Sequence, residues 1–272
     1  MTVATTTQQW NVSFPVVPQF KHLALYTGNV MKTSIAGKNN SLSTKSNLEL
    51  IAAINDTLRT SLQTPGEQSF RHIKETGLLE VPDLRLSSIV PVEDRSDVEI
   101  TAKLFSLGCN NTQSHVSQAF EHLHRLLGVS SVENFILSAS KDNILPAWRT
   151  LEQLHCKGAI GRLGVTDFTE SDLQAFAGKV QVQPAVNQID LAQCCQLPRE
   201  LIKYAKSNDI ELLAHSDCSD ILPTDTLNKV MKAQNVMSEE ATLTPRWVLK
   251  YTVFVKCRGV VADKGYIVMA DA

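Results

Sequence analysis

The chain has 272 residues, with 26 Lys and Arg against 28 Asp and Glu, and a formal net charge of −2. Because this balance leaves no excess of basic residues, it gives no electrostatic signature of a nucleic-acid-binding or membrane-surface-binding protein. With 43% hydrophobic and 20% charged residues, the composition is that of a globular protein. It excludes the fibrous, membrane-spanning and intrinsically disordered classes.

Residues 1–20 are uncharged, polar and interrupted by prolines, and we interpret them as a tail in front of a single domain over residues 21–272. The tail has no basic stretch followed by an apolar run, so secretory and mitochondrial signals are poorly supported. The six cysteines are scattered and form no C-x-x-C pair, so neither a disulfide framework nor a zinc site is indicated. We therefore expect a cytoplasmic protein with buried or half-buried free thiols and no metal.

The N-terminal third has few regular patterns. Residues 22–27 are typical of a short strand, and 32–46 have the Gly, Asn and Ser content of a loop. Apolar residues at helical spacing predict a helix over 46–62. The stretch 64–97 is irregular, although its residues 84–90 resemble a strand.

From residue 98 onward, apolar strand-like runs alternate with helical periods. The predicted strands are 98–105, 132–138, 159–165, 182–189, 210–214 and 252–256. Helix boundaries are indicated by Pro146 in a first turn, Gly158 after a last turn and a capping box at residues 169–172. Thr244 and Pro245 have the pattern of a helix start.

Repeated strand–helix alternation predicts a mainly parallel sheet, because parallel neighbours require a crossover connection. This leaves an open doubly wound sheet or a closed eight-stranded α/β barrel, and the length favours the (β/α)8 barrel. The glycines around residues 158–164 do not form a dinucleotide fingerprint, and no P-loop, H-E-x-x-H or G-x-S-x-G motif occurs.

In a parallel barrel the functional residues lie at the carboxyl ends of the strands. The polar residues predicted there are Lys103, Ser138, Thr166, Asp167, Asn187, Gln188, His215, Ser216 and Lys256. A lysine within the apolar run ITAKLF is costly unless it is paired or faces a wet pocket. Lys103 is therefore either a paired structural lysine or a functional acid or base.

The segments ITAKLF, GRLGVTDF, PAVNQIDL, IELLAHSD and VFVKCRG occur in this order over residues 98–258. They resemble consecutive strand motifs of the aldo-keto reductases, a family of NADPH-dependent α/β barrels. LALYTGNV, NQIDLAQCC and KCRGVVADKGYIV resemble, more closely, the modifier (regulatory) subunits within that fold family. The resemblance implies a heterodimer with the separate catalytic subunit of glutamate–cysteine ligase in glutathione biosynthesis.

The reductases resemble one another in a site of Asp, Tyr, Lys and His, which this chain matches only in part. Lys103 matches the lysine, and Ser138 falls on the histidine position. No Asp-Thr-Ala-x-x-Tyr segment occurs between residues 64 and 98. Because the tyrosine donates the proton to the reduced carbonyl, the resemblance implies a relic site without turnover.

The cofactor positions give a mixed picture. Gln188 matches the glutamine that holds the nicotinamide amide, and Lys256 matches a lysine near the adenosine phosphate. Asp167 and His215 stand where the family has Asn and a stacking Tyr. We expect no required cofactor, and residual NADPH binding is left open.

The expected function is therefore regulatory: binding to the catalytic subunit raises apparent glutamate affinity and relieves feedback inhibition by glutathione. The alternative is an NADPH-dependent carbonyl reductase with an atypical site. Trp10, Phe14 and Phe70 are candidate interface residues, although core packing is the simpler interpretation. An intersubunit disulfide would use a cysteine from the set Cys194, Cys195 and Cys257.

Overall fold

The computed structural model describes residues 17–31, 46–63, 69–86, 92–108, 112–190, 198–218 and 220–272. Its strands are β1 (His22–Tyr26), β2 (Arg71–Ile73), β3 (Leu78–Val81), β4 (Val98–Ser106), β5 (Val132–Ser138), β6 (Ile160–Thr166), β7 (Val186–Asp190), β8 (Glu211–His215), β9 (Thr244–Val255) and β10 (Val260–Asp271). Its helices are α1 (Ser46–Gln63), α2 (Thr112–Leu127), α3 (Ile144–Cys156), α4 (Glu170–Ala177), α5 (Arg199–Ser207) and α6 (Thr224–Ala233). No helix in these ranges is long and apolar enough to cross a membrane.

All ten described strands form one sheet, in the order β2-β3-β1-β10-β9-β4-β5-β6-β7-β8. Strands β4 to β8 are parallel neighbours. Helices lie in the chain between these strands, and this is the alternation that the sequence predicts. The long hairpin of β9 and β10 is antiparallel and connects β4 to β1.

The sheet curls strongly. Strands β4 and β8 are four spacings apart, which is about 19 Å in a flat sheet. Yet Lys103 on β4 reaches Asp217, two residues beyond β8, with a distance of 2.8 Å between Nζ and Oδ2. The predicted α/β class and barrel-like scaffold are therefore confirmed. Ten strands, including an antiparallel hairpin, form this scaffold in place of eight parallel ones, and within the described ranges β2 and β8 are each paired on one side only.

Helices pack on both faces of the sheet and bury two apolar cores. The first core joins the sheet to α2, α3, α4 and α5, with Trp148 and Phe176 in edge-to-face contact. The second core joins the opposite face of β1, β9 and β10 to α1 and α6. Phe70 is partly buried against the second core.

Local signals in the chain mark several boundaries correctly. Thr169 forms the predicted capping box with Asp172 at the start of α4. Pro146 lies in the first turn of α3. Gly158 follows that helix with a φ of 73°, a left-handed backbone conformation that is sterically unfavourable for residues with a side chain.

Two predicted elements are wrong. Thr244 and Pro245 begin strand β9 rather than a helix. Residues Leu84–Leu86 form a single 3-10 turn rather than the start of a strand, and 87–91 lie outside the described residues. The sequence patterns also did not predict β2, β3 or β10.

Candidate functional site

A pocket of about 280 Å³ lies between β4, β7, β8 and β9, on the face of β4 that carries Lys103. We name it the lysine pocket. Its lining residues are Thr101, Lys103, Gln188, Ala214, His215, Ser216, Asp217, Lys250 and Thr252. Lys103 and Lys250 are register partners on β4 and β9, so the antiparallel pairing places both side chains in one row.

One carboxylate binds both lysines. Asp217 Oδ2 lies 2.8 Å from Lys103 Nζ, and Asp217 Oδ1 lies 2.7 Å from Lys250 Nζ. The side chains of Lys103 and Asp217 are 5% and 4% exposed, so this ion pair is shielded from water. Lys103 is thus a paired lysine, as one of its two interpretations predicted.

The shielding changes the acidity of these groups. Burial lowers the pKa of Lys103, and the charge of Asp217 offsets only part of that effect. Burial also opposes ionisation of Asp217, but the two ammonium groups outweigh it and hold the pKa of Asp217 well below its ordinary value. Asp217 is therefore a carboxylate throughout the physiological pH range.

His215 is held by two hydrogen bonds at the pocket rim. The backbone N–H of Asp217 donates to Nδ1 at 3.1 Å, so Nδ1 is unprotonated in this arrangement. Nε2 then donates to the carboxylate of Asp167, with 3.3 Å to each oxygen. Both ring nitrogens are engaged, so His215 is a positioned rim residue.

Gln188 and its neighbour Asn187 point to opposite faces of β7, as strand geometry requires. Asn187 is fully buried and exchanges hydrogen bonds with the backbone of Phe168. Gln188 lines the lysine pocket, and its Oε1 atom is buried without a hydrogen-bond partner within the described ranges. Gln188 therefore borders the pocket and carries an acceptor without a hydrogen-bond partner in the described ranges.

Two candidate residues lie outside the pocket. Ser138 is half-buried at the end of β5, where its register partner is Phe105. Lys256 lies just beyond the amino end of β4, because β9 runs antiparallel to β4, and its Nζ donates to the carbonyl of Ser96 at 3.0 Å. The structure thus brings together Lys103, Gln188 and His215, with Asp167 at the rim, but not Lys256 or Ser138.

None of the four tyrosines of the chain lines the lysine pocket, and all four lie within the described ranges. Tyr26 binds His122 at 2.6 Å, and Tyr251 donates to Asp263 at 3.5 Å. Tyr204 lies on α5. No tyrosine hydroxyl is therefore placed to protonate a molecule beside Lys103.

By its position in the sheet, Tyr266 is the best candidate for a proton donor among the tyrosines, because it is the register partner of Lys250. Its hydroxyl instead donates to Glu49 at 2.6 Å, and Glu49 also binds Lys264 at 2.7 Å. Burial, and next the charge of Glu49, raise the pKa of Tyr266 above its ordinary value. A phenol that holds its proton this tightly is a poor general acid.

Sequence reasoning missed Asp217 and Lys250. Asp217 is 114 residues from Lys103, and Lys250 lies on a strand whose start was predicted as a helix. The signal that could have found them is the lysine itself, because a lysine in an apolar strand requires a counter-ion. The aspartate two residues after β8 is a candidate on that criterion.

Three cysteines lie in the described ranges, and all are free: Cys156 and Cys257 are exposed, and Cys218 is half-buried. The expectation of buried thiols is thus wrong for the first two. Cys109, Cys194 and Cys195, like the interface candidates Trp10 and Phe14, lie outside the described residues. The described ranges contain no group of three His, Cys, Asp or Glu side chains that could hold a metal ion.

Comparison with known proteins agrees with this barrel-like scaffold. The model of the aldo/keto reductase family matches residues 86–266. A Schizosaccharomyces pombe protein assigned as a glutamate–cysteine ligase regulatory subunit is 30% identical, over 92% of this chain and 96% of its own. The glutamate–cysteine ligase regulatory subunits of Mus musculus and Homo sapiens are 32% and 30% identical, each over 65% of this chain and 68% of their own. The chain therefore belongs to the aldo/keto reductase family and, within it, to the glutamate–cysteine ligase regulatory subunits.

Proposed function

We propose that this chain is a non-catalytic regulatory subunit that forms a heterodimer with the catalytic subunit of glutamate–cysteine ligase. On binding, it raises the apparent affinity of the catalytic subunit for glutamate and weakens feedback inhibition by glutathione. The observation that carries the proposal is the lysine pocket, where Lys103 has a carboxylate partner but no phenol beside it. The names of the relatives, which are glutamate–cysteine ligase regulatory subunits, support this choice of partner.

The missing phenol argues against reductase chemistry. When hydride reaches a carbonyl carbon, the oxygen becomes an alkoxide and needs a proton from a nearby acid. General acid catalysis contributes typically 10²–10⁴-fold to such a step. Ser138 is outside the pocket, and a serine hydroxyl without an activating base is too weak an acid for this role. Reductase turnover is therefore not the function that this site supports.

Regulation by binding requires no chemistry in the barrel. The subunit must bind more tightly to the partner conformation that favours glutamate over glutathione, and the shift cannot exceed that difference in binding free energy. Typical coupling energies of about 1–3 kcal/mol correspond to about 5–150-fold changes in affinity. Such an effect is large enough for metabolic control.

The test is to co-express this chain with the catalytic subunit, purify the complex and measure the glutamate KM and the glutathione inhibition constant. With this chain bound, we expect KM to fall and the inhibition constant to rise, each about fivefold or more. No complex, or a complex with unchanged constants, contradicts the proposal. The matched control is the catalytic subunit purified alone from the same host.

The same preparation separates this proposal from the reductase alternative. A carbonyl reductase would oxidise NADPH in the presence of an aldehyde panel, and Lys103→Met would abolish that oxidation. We expect no oxidation above the rate of buffer alone, with or without the substitution. Aldehyde-dependent oxidation by the wild-type chain that the substitution removes supports the alternative.

The redox part of the proposal concerns Cys257, whose exposed thiol lies in the turn between β9 and β10. We include in the proposal that this thiol is available for a disulfide with the partner subunit. Non-reducing electrophoresis of the oxidised complex should show a band of the summed mass, which Cys257→Ser removes. Free subunits only, or a band that persists in the variant, contradict this assignment.

A further inference from the structure

The lysine pocket has an incomplete set of polar partners. Asp217 takes one hydrogen bond from each of Lys103 and Lys250, whereas each ammonium group carries three protons. The pocket lining contains two lysines and one carboxylate, with both nitrogens of His215 already engaged. Among the described residues, the two ammonium groups therefore keep protons without a hydrogen-bond acceptor, although Lys103 Nζ also lies 5.1 Å from the centre of the Phe105 ring. The lining carries one more positive than negative charge.

Asp167 offsets this excess only in part, although its charge acts on Lys103. Its carboxylate binds His215 Nε2, accepts the backbone N–H of Asp190 at 2.8 Å, and is about half exposed. A charge so exposed to water is screened, whereas Lys103 has almost no contact with water. The inner end of the pocket is thus suited to a carboxylate of a ligand.

Gln188 requires a hydrogen-bond donor on the ligand, in contrast to the lysines, which require an acceptor. Its buried Oε1 atom accepts no hydrogen bond within the described part of the chain, and an unsatisfied buried acceptor is destabilising. An N–H group of a ligand would satisfy it once the Gln188 side chain turns Oε1 toward the pocket, because the atom has almost no accessible surface. A simple anion has no such group.

The pocket volume limits the size of the ligand. About 280 Å³ is at the lower limit of small-molecule sites, which are typically ~300–1,000 Å³. It has room for a molecule of a few carbons rather than for a dinucleotide. Lys256, which the family resemblance assigned to an adenosine phosphate, lies beyond the amino end of β4 and does not line the pocket.

We propose that the lysine pocket binds a free α-amino acid or a comparably small amino-acid-like ligand. The ligand carboxylate lies against Lys103 and Lys250, and its amino group donates to Gln188 Oε1. Thr101 and Thr252, register partners on β4 and β9, line the same space and supply hydroxyl groups. The proposal concerns this chain alone and does not depend on the catalytic subunit.

The test uses two probes that differ in one group: L-glutamate, and glutarate, which has the same two carboxylates but no amino group. Isothermal titration of each into the purified chain should show saturable binding of L-glutamate, with glutarate at least about tenfold weaker. This ratio is the expected effect of one hydrogen bond that involves a charged group, worth about 1.5–3 kcal/mol.

Three variants assign the contacts. Gln188→Met keeps the length of the side chain but removes the acceptor, so L-glutamate should weaken about tenfold and bind no better than glutarate. Lys250→Met should weaken both probes. Arg162→Met is the matched control. Arg162 lies on the same face of the sheet as Thr101, because both are register partners of Asn134, but it pairs with Glu211 outside the pocket. This substitution should change neither affinity. Circular dichroism of each variant checks that it is folded.

Three results overturn the proposal. The first is the absence of saturable L-glutamate binding by the folded chain. The second is equal binding of both probes by the wild-type chain, which would make the pocket an anion site only. The third is binding of NADPH but not of L-glutamate, which would mean that the pocket has kept the cofactor of its family.

Discussion

Asp217 is the residue on which the lysine pocket depends most, because it is the shared counter-ion of two lysines. In the variant Asp217→Asn, the Lys103 ammonium stays in a site where its side chain is 5% exposed, without a charged partner. Removal of one member of a buried ion pair typically costs about 3–5 kcal/mol. We expect that loss here, measured as the free energy of unfolding in urea at pH 7.

Companion variants separate a lost charge pair from general damage. Lys103→Met removes the buried charge, while Lys250 still neutralises Asp217, so the expected cost is only about 1–2 kcal/mol. In the double variant, Lys103→Met should recover about 2 kcal/mol of the loss caused by Asp217→Asn. Asp56→Asn is the matched control, because its partner Arg59 is mostly exposed and such pairs contribute at most about 1 kcal/mol.

Thermal unfolding gives a second readout of the same series. At roughly 2 °C per kcal/mol for a chain of this size, Asp217→Asn should lower Tm by about 6–10 °C. A loss below about 1 kcal/mol would refute the argument. Failure of Lys103→Met to restore stability would do the same, because it would mean that the buried ammonium is not the source of the cost.

Three further outcomes are expected. Burial holds the pKa of His115 and His122 at about 4. The unfolded chain therefore binds more protons between pH 6.5 and 4, and stability should fall by up to about 3 kcal/mol per histidine over that window. Urea titrations should show a shallower fall in His122→Gln, and an equal fall would refute the assignment. Thr169→Ala removes the capping box and should lower the free energy of unfolding by about 1 kcal/mol, measured from the urea midpoint. An unchanged midpoint would show that the cap is redundant. Gly265→Ala places a Cβ 2.3 Å from the carbonyl of Gly28 and should cost about 1–3 kcal/mol, and a neutral variant would show that the hairpin can shift.

The sequence predicts the strand–helix alternation after residue 98 well, because amphipathic periods are local. Strand β5 matches its predicted bounds, and α1 differs by one residue. Short strands β2 and β3, with three and four residues, carry too few positions for a period to be read. The pairing of β3 with β1, and of β2 with β3, is a tertiary effect.

The start of β9 at Thr244 was predicted wrongly because the local signal and the tertiary structure disagree, whereas the strand predicted over 252–256 coincides with the end of β9. A Thr-Pro pair is typical of a helix start, yet Pro245 lies beside a register irregularity between β9 and β10. Proline has no backbone N–H to donate to the ladder, so it is tolerated where the regular hydrogen-bond pattern is interrupted. The apolar neighbours Trp247 and Leu249 are buried in the first core, which favours the strand.

The pocket was partly predictable. Lys103, Gln188 and His215 follow from the rule that strand ends carry function, and the structure places all three in the pocket. Asp217 and Lys250 depend on the curl of the sheet and on the hairpin, neither of which local patterns encode. Lys256 was misplaced for the same reason, because the direction of β9 decides which end of the sheet it occupies.

The central claim is that this chain acts by docking to a partner rather than by turnover. The most direct test is the glutamate KM of the purified catalytic subunit, titrated with this chain in a buffer free of nicotinamide nucleotides. The account predicts that KM falls about fivefold or more and saturates at one chain per catalytic subunit. A KM that stays constant, or that falls only when NADPH is added, would contradict it.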